Sequence, residues 1–267
     1  MAAIFWRILK DRRIILLVYC LASIGLMWLY IGLFPSIKEQ SANLEQLVKS
    51  YPEALLKAFN FDINSFTTIE GFLAGEQFSF VWPIMLMFML IGYAGSVLAG
   101  EIERGTIEVL LSQPVSRAKL FFGRYFGGLL MLILFVILSI FPALPIINAY
   151  DISYKFNNFL TLGLLCFLFG WAILSIGMMF SSIFSDKGKV FFITGGLLVV
   201  MYVLNIVAVL KDNLSDLKYL SFFYYFNHSA ALIYDKIDNL AYWVFVGVAF
   251  VCTLIGAIWF AKRDIAT

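Results

Sequence analysis

Charge is scarce in this chain. Only 13% of its 267 residues are Asp, Glu, Lys or Arg, while 62% are hydrophobic and the mean hydropathy is +0.92. A soluble domain carries roughly twice that share of charge, so a water-soluble globular protein is excluded, and a disordered chain with it. A net charge of +2 and a pI near 8.3 leave no basic surface for nucleic acid. There is one histidine, His228, too few for a His-based metal cluster. The three cysteines, Cys20, Cys166 and Cys252, lie in apolar runs without a CxxC pair, which argues against a disulfide framework or a redox or metal site. No phosphate-binding G-x-x-x-x-G-K-[ST] loop is present; Lys187-Gly188-Lys189 lacks both the preceding spacing and the following hydroxyl.

What is abundant is apolar sequence. A spanning helix needs about 20 mostly apolar residues. Six charge-free stretches meet that need: Ile14–Phe34, Phe78–Ala99, Tyr125–Ile147, Phe156–Phe184, Val190–Leu210 and Asn239–Ala261. The first is too long for a signal-peptide core and ends at Leu33-Phe34-Pro35 rather than at a small-x-small site. The expected fold is all-α, a single transmembrane domain over residues 1–267.

Residues 1–13, 100–124, 185–189 and 262–267 hold 12 of the 19 Lys and Arg. Basic loops stay on the cytoplasmic side, so both termini are predicted to be cytoplasmic. Residues 1–13 read as a short interfacial helix, with Ile4, Phe5, Ile8 and Leu9 on one face. The opposite, outer side carries the long loop 35–77. There Leu44, Leu47, Val48, Tyr51, Leu55 and Phe59 recur at helical spacing, Ser50-Tyr51-Pro52-Glu53 reads as a helix start, and Thr67 with Glu70 reads as a capping box. Short amphipathic helices on the outer surface are expected. His228 follows the aromatic run Phe222–Phe226, which reads as an interfacial belt.

No Asp, Glu, Lys, Arg or His falls inside the six stretches. Ion-coupled transporters, proton pumps and voltage sensors need such groups, so those classes are disfavoured. A membrane enzyme lacks an acid–base or metal constellation, and a channel lacks a charged ring or filter motif. The intramembrane polar groups include Ser23, Ser96, Ser139, Thr161, Ser175, Thr194, Asn205 and Thr253, expected to bond back to their helix or across to a neighbour. Pro83 and Pro142 mark kinks or helix ends. Gly92, Gly95 and Ser96, and Gly123-x-x-x-Gly127, form small-residue faces, the latter a weak mark of a subunit contact.

The richest segment joins the second and third stretches. Gly105 should break the helix leaving the membrane. Thr106 can cap a short new helix with Glu108 in its first turn and Ile107, Leu110 and Leu111 on an apolar face. Pro114 ends it and Ser116 can cap the next. The product is a short transverse helix suited to the membrane surface or to a groove on a partner.

Glu101-Ile-Glu103-Arg104-Gly105-Thr106-Ile107-Glu108-Val-Leu110-Leu-Ser-Gln-Pro114-Val-Ser-Arg117 resembles the E-x-E-x-G-T-x-E-x-L-L-x-x-P-V-S-R signature of type 2 (ABC-2) ABC transporter permeases. Lys218–Asn227 resembles the outer segment that precedes the last span in that family, and Trp259–Ile265 its F-x-R-R-D-L tail. The resemblance implies the ABC-2 exporter (type V) permease fold in the plasma membrane, with a short cytoplasmic coupling helix that meets an ABC ATPase. It also implies two copies of that ATPase, which bind the ATP, and a second permease chain as homodimer or heterodimer. No cofactor and no nucleic acid is implied for this chain, and it is not itself expected to be an enzyme. The expected coupling residues are Glu101, Glu103, Arg104, Thr106, Ile107, Glu108, Leu110 and Arg117, the charges fixing register and Ile107 and Leu110 anchoring. The implied activity is ATP-driven export of a hydrophobic or amphipathic cargo: antibiotic, lipid or peptide. The competing reading is a regulatory or sensing membrane subunit coupled to an ATPase without moving cargo. The outer loop 35–77 exceeds that of minimal family members.

Overall fold

A computed structural model describes residues 2–39, 67–107 and 116–264, with residues 2–11 and Asp212 as backbone only. The order is α1 (Ala2–Glu39), α2 (Ile69–Leu73), a π-helical segment (Ala74–Val81), α3 (Trp82–Val97), α4 (Ala99–Glu103), α5 (Arg117–Ile140), α6 (Ala143–Ala149), α7 (Phe156–Ile183) and α8 (Lys187–Leu210), then a 3-10 helix (Asp212–Leu220), α9 (Phe222–Tyr225), α10 (His228–Tyr234) and α11 (Asn239–Lys262). Among the described residues six helical stretches are long and apolar enough to cross a membrane. The chain is an all-α multi-pass membrane protein. Leu44–Phe59 and the helix start at Ser50 lie outside the described residues.

The bundle is built around α7. It packs against α11, α3, α5, α8 and α10, and its apolar window is 72% buried, against 17% for α8 and 22% for α11. Lipid tails are as apolar as leucine, so close packing and shared hydrogen bonds must hold such helices together. Gly177 of α7 supplies the first: a Cβ there would stand 2.8 Å from Ala94 Cβ on α3. Two polar clusters supply the second. Tyr125 on α5 bonds Ser175 on α7 at 2.7 Å, Trp171 Nε1 donates to the Tyr125 hydroxyl at 2.7 Å, and Thr253 on α11 donates to Ser175 at 3.4 Å. Gln77 Nε2 donates to Ser23 Oγ at 3.3 Å, Ser23 to the Ser139 carbonyl at 3.4 Å, and Trp82 Nε1 to Ser139 Oγ at 2.8 Å. Ser96 bonds back to the Gly92 carbonyl at 2.6 Å.

Several expectations are corrected. No break separates residues 1–13 from the first span: one backbone helix runs from Ala2 to Glu39 with Pro35 inside it. At that point only the last turn lies beyond the proline, so the lost donor costs little. The second membrane helix begins at Ile69 rather than Phe78, and therefore carries Glu70 and Glu76. A charge-free criterion stops short here because the first carboxylate is used as a backbone acceptor: Glu70 Oε1 takes the Lys155 N–H at 2.8 Å. The N-cap is Thr68, which accepts from Gly71 N at 3.2 Å, not Thr67. The π-helical segment ends just before Pro83, at the start of α3. A proline ring would strike the carbonyl four residues back in a regular helix, and the wider turn accommodates it. Gly123 and Gly127 are buried within this chain's own bundle, so they serve internal packing.

The aromatic run before the last span is not a surface belt. Phe226 stacks on Phe169 (4.4 Å between ring centroids) and on Trp82 (6.4 Å), and Trp82 stacks on Phe135 (5.6 Å). These contacts drive α9 and α10 into the bundle, with Phe222, Tyr225 and His228 buried. Burial pushes the His228 imidazole down to about 4, opposed by its contact with the Phe226 carbonyl.

Candidate functional site: the segment between the second and third spans

The segment occupies the end of the bundle that carries both chain termini. Leaving α3, the chain re-enters a single turn, α4, whose start is tied to α7 by Ala99 N–H donating to Ser181 Oγ at 3.1 Å. It then turns sharply at Gly105, where φ is +69°. An L side chain there meets a steric penalty of about 1 kcal/mol or more. Gly105 N–H closes the turn on the Ile102 carbonyl at 3.0 Å. Thr106 Oγ1 reaches back to Glu101, donating to its carboxylate and lying 3.2 Å from its carbonyl. The Glu101–Arg104 ion pair spans 3.2 Å on the surface. Such exposed pairs contribute only about 0.3–0.5 kcal/mol, so glycine and backbone bonds shape this turn.

Glu101, Glu103, Arg104, Thr106, Ile107 and Arg117 are described; Glu108 and Leu110 lie outside the described residues. Ile107 is 2% exposed and belongs to the chain's own core, so it pins the segment to the bundle instead of offering a knob to a partner. Glu103, itself exposed, and Arg117, half-buried, also bond within the chain. Glu103 Oε2 accepts the Lys187 N–H at 2.9 Å, placing an anion at the N-terminus of α8 where the helix dipole favours it. Asp186 caps the same helix by accepting from Lys189 N at 3.1 Å. Ser116 caps α5, accepting from Lys119 N at 3.3 Å.

Arg117 leads to a residue that carried no role in the sequence reading. Its guanidinium donates to the Arg263 carbonyl just beyond α11. Arg263 Nη1 in turn donates to the carbonyls of Ser182 at 2.9 Å and Phe184 at 3.1 Å, and Nη2 to Ser185 Oγ. A cation thus closes the C-terminal end of α7, the favourable end for positive charge. Partial burial lowers the Arg263 guanidinium below its usual value, and it stays charged at physiological pH. The 184–187 turn is therefore gripped from two sides, by Glu103 at the entrance to the segment and by Arg263, linked to Arg117, at its exit. These bonds join the two ends of the segment to α7, α8 and α11. The only advance signal was Arg263 in the terminal basic motif.

A model of the ABC-2 family transporter proteins matches residues 5–265, nearly the whole chain. The chain belongs to the ABC-2 transporter family. No curated protein matches it. The family's membrane subunits lack a nucleotide-binding domain and work with an ABC ATPase, so this ABC-2 chain is the membrane-spanning permease component.

A second feature opens on the bundle's side. An apolar groove of about 470 Å³ runs between α3 and α8, lined by Phe80, Pro83, Met87, Phe191, Val199 and Tyr202 among others. Its size lies within the range of small-molecule sites, and apart from Ser79 and the Tyr202 hydroxyl its side chains carry no polar group. Among the described residues no group of three His, Cys, Asp or Glu is placed to hold a metal ion.

Proposed function

We propose that this ABC-2 permease exports a hydrophobic or amphipathic compound across the plasma membrane, with both termini cytoplasmic, as a dimer of permease chains driven by two ATPase subunits. The observation that carries the coupling part is the double grip on the 184–187 turn. ATP closes the ATPase pair; the segment around Thr106–Ser112 moves with it; Glu103 and the Arg117–Arg263 link pass that movement to α8, α7 and α11. A partner can bias such a two-state equilibrium only through contacts that differ between the states. Arg104, Glu108 and Leu110 are assigned to that contact, and Glu101, Thr106 and Ile107 to holding the segment's shape. The cargo part rests on the groove: its apolar walls suit a hydrocarbon or aromatic body and offer nothing to a hydrated ion.

Two measurements test this. Alanine at Arg104 together with Glu108 should weaken co-purification of the ATPase; unchanged association would refute the contact assignment. In sealed vesicles holding the whole complex, cargo should raise ATP turnover and accumulate on the far side. Turnover that responds to ligand without accumulation would favour the sensing alternative.

A further inference from the structure

Glu76 is a carboxylate in an unusual place. It lies in the π-helical segment of the second membrane helix and is exposed on the outside of the bundle. Among the described residues the ion pair is Glu101–Arg104, and no Lys or Arg pairs with Glu76. Its depth follows from helix length. Counting about 20 residues back from Val97, the span needed for the hydrocarbon core, ends near Phe78. Glu76 therefore sits at the outer boundary of the hydrocarbon, where lipid headgroups begin.

Glu76 does not itself line the groove described above, which begins three residues further along the same helix. Ser79 and Phe80, three and four residues further along, line its outer end. In a π-helix, with more than four residues per turn, positions i and i+4 share a face, and both Glu76 and Phe80 are exposed on it. The same end of the groove is walled by aromatic rings: Phe80 lies 6.3 Å from Tyr202, and Tyr202 lies 5.0 Å from Phe223. Aromatic faces attract cations through the ring quadrupole, most strongly when water is excluded. A carboxylate and three rings at the rim of an otherwise apolar slot select for one ligand shape, an apolar body with a positive head.

We propose that Glu76 and the Phe80–Tyr202–Phe223 rings form a cation-selecting rim on the groove, so that this permease takes cationic amphipathic compounds in preference to neutral or anionic ones. The inference rests on the groove being the cargo contact. The positive head sits at headgroup level against Glu76, and the apolar body lies along α3 and α8. Loading from the outer part of the membrane needs no desolvation of the charge beyond what the interface already imposes.

The test uses the full chain in phosphatidylcholine nanodiscs, with empty discs subtracted, and three probes of similar bulk: tetraphenylphosphonium, tetraphenylborate and triphenylphosphine oxide. The wild type should bind the cation at least tenfold more tightly than the neutral probe and the anion most weakly. Glu76→Gln should bring cation and neutral probe to parity without weakening the neutral one, and Glu76→Asp should keep most of the preference. Gly195→Leu, which adds a side chain into open groove space and favours helix, should weaken all three. If the probes bind with no charge preference, or Glu76→Gln leaves the preference intact, the cation rim is refuted while the groove reading stands. If no probe binds, the groove is not the cargo contact and both readings fall together; cross-linking of two copies through Phe192→Cys would then mark it as a subunit interface.

Discussion

Replacing Arg263 by alanine tests whether the terminal face works as one piece. The guanidinium makes hydrogen bonds to the Ser182 and Phe184 carbonyls at 2.9 and 3.1 Å and to Ser185 Oγ. A charged donor contributes about 1.5–3 kcal/mol per bond when buried, but Arg263 is partly solvated, so the sum is discounted to about 2–3 kcal/mol. A cation at the end of α7 adds about 0.3–1 kcal/mol within that figure. For a domain of this size that corresponds to a fall in Tm on the order of 5–8 °C. The backbone carbonyl that Arg117 uses survives the substitution, so the segment's own shape should persist and the ATPase should still co-purify. What should fail is transmission: basal ATP turnover continues, while its stimulation by cargo drops several-fold. Arg263→Lys keeps the charge but cannot fork between two carbonyls, and should recover about half the stability with little of the stimulation. Thermal unfolding in detergent and ATPase assays in vesicles read the two effects separately. A variant with unchanged Tm and unchanged stimulation would refute the reasoning.

Three further outcomes are expected. Gly105→Val forces a β-branched residue to φ +69° and should destabilise the turn by about 2 kcal/mol, read as increased protease sensitivity between residues 100 and 117; equal cleavage rates would contradict it. Gly177→Ala sets two rigid methyl groups 2.8 Å apart; α7 and α3 must separate, at about 1–3 kcal/mol, read as a lower Tm in detergent, and a rise would show that the contact is slack. The native His228 pKa of about 4 lies below the unfolded value near 6.5, so the unfolded chain binds the extra proton first. Stability should be constant above about pH 6.5 and fall by on the order of 3 kcal/mol as pH drops to about 4. His228→Gln should flatten that limb of the pH profile, and an unaltered profile would assign the acid sensitivity elsewhere.

Much of the fold was legible because span detection depends on long apolar runs, and these are strong here. The turn at Gly105 and the cap at Ser116 were legible for a local reason: each is set by a residue whose backbone or hydroxyl acts within four positions. The failures share the opposite cause. Glu70 and Glu76 ended the second span in the sequence reading because charge was taken as a boundary; Glu70 instead accepts the backbone N–H of Lys155, 85 residues away. His228 looked interfacial because its neighbours are aromatic, yet Phe169 and Trp82, from two other helices, bury that run. Ile107 looked like a partner-facing knob because helical spacing cannot distinguish a face turned to another subunit from one turned to its own bundle. Arg263 was visible only as part of a basic tail, and its role depends on carbonyls about 80 positions earlier.

The central claim is that the segment from Glu101 to Arg117 joins this permease to a separate ATPase. Its most direct test is purification of the tagged chain from its own host's membranes, with and without the order of Thr106–Leu111 scrambled. The account predicts that a soluble ATPase of ~25–35 kDa, an ordinary domain size, accompanies the native chain with measurable ATP turnover and is lost from the scrambled one. Recovery of equal ATPase with both, or of none with either under conditions that preserve membrane complexes, would contradict it.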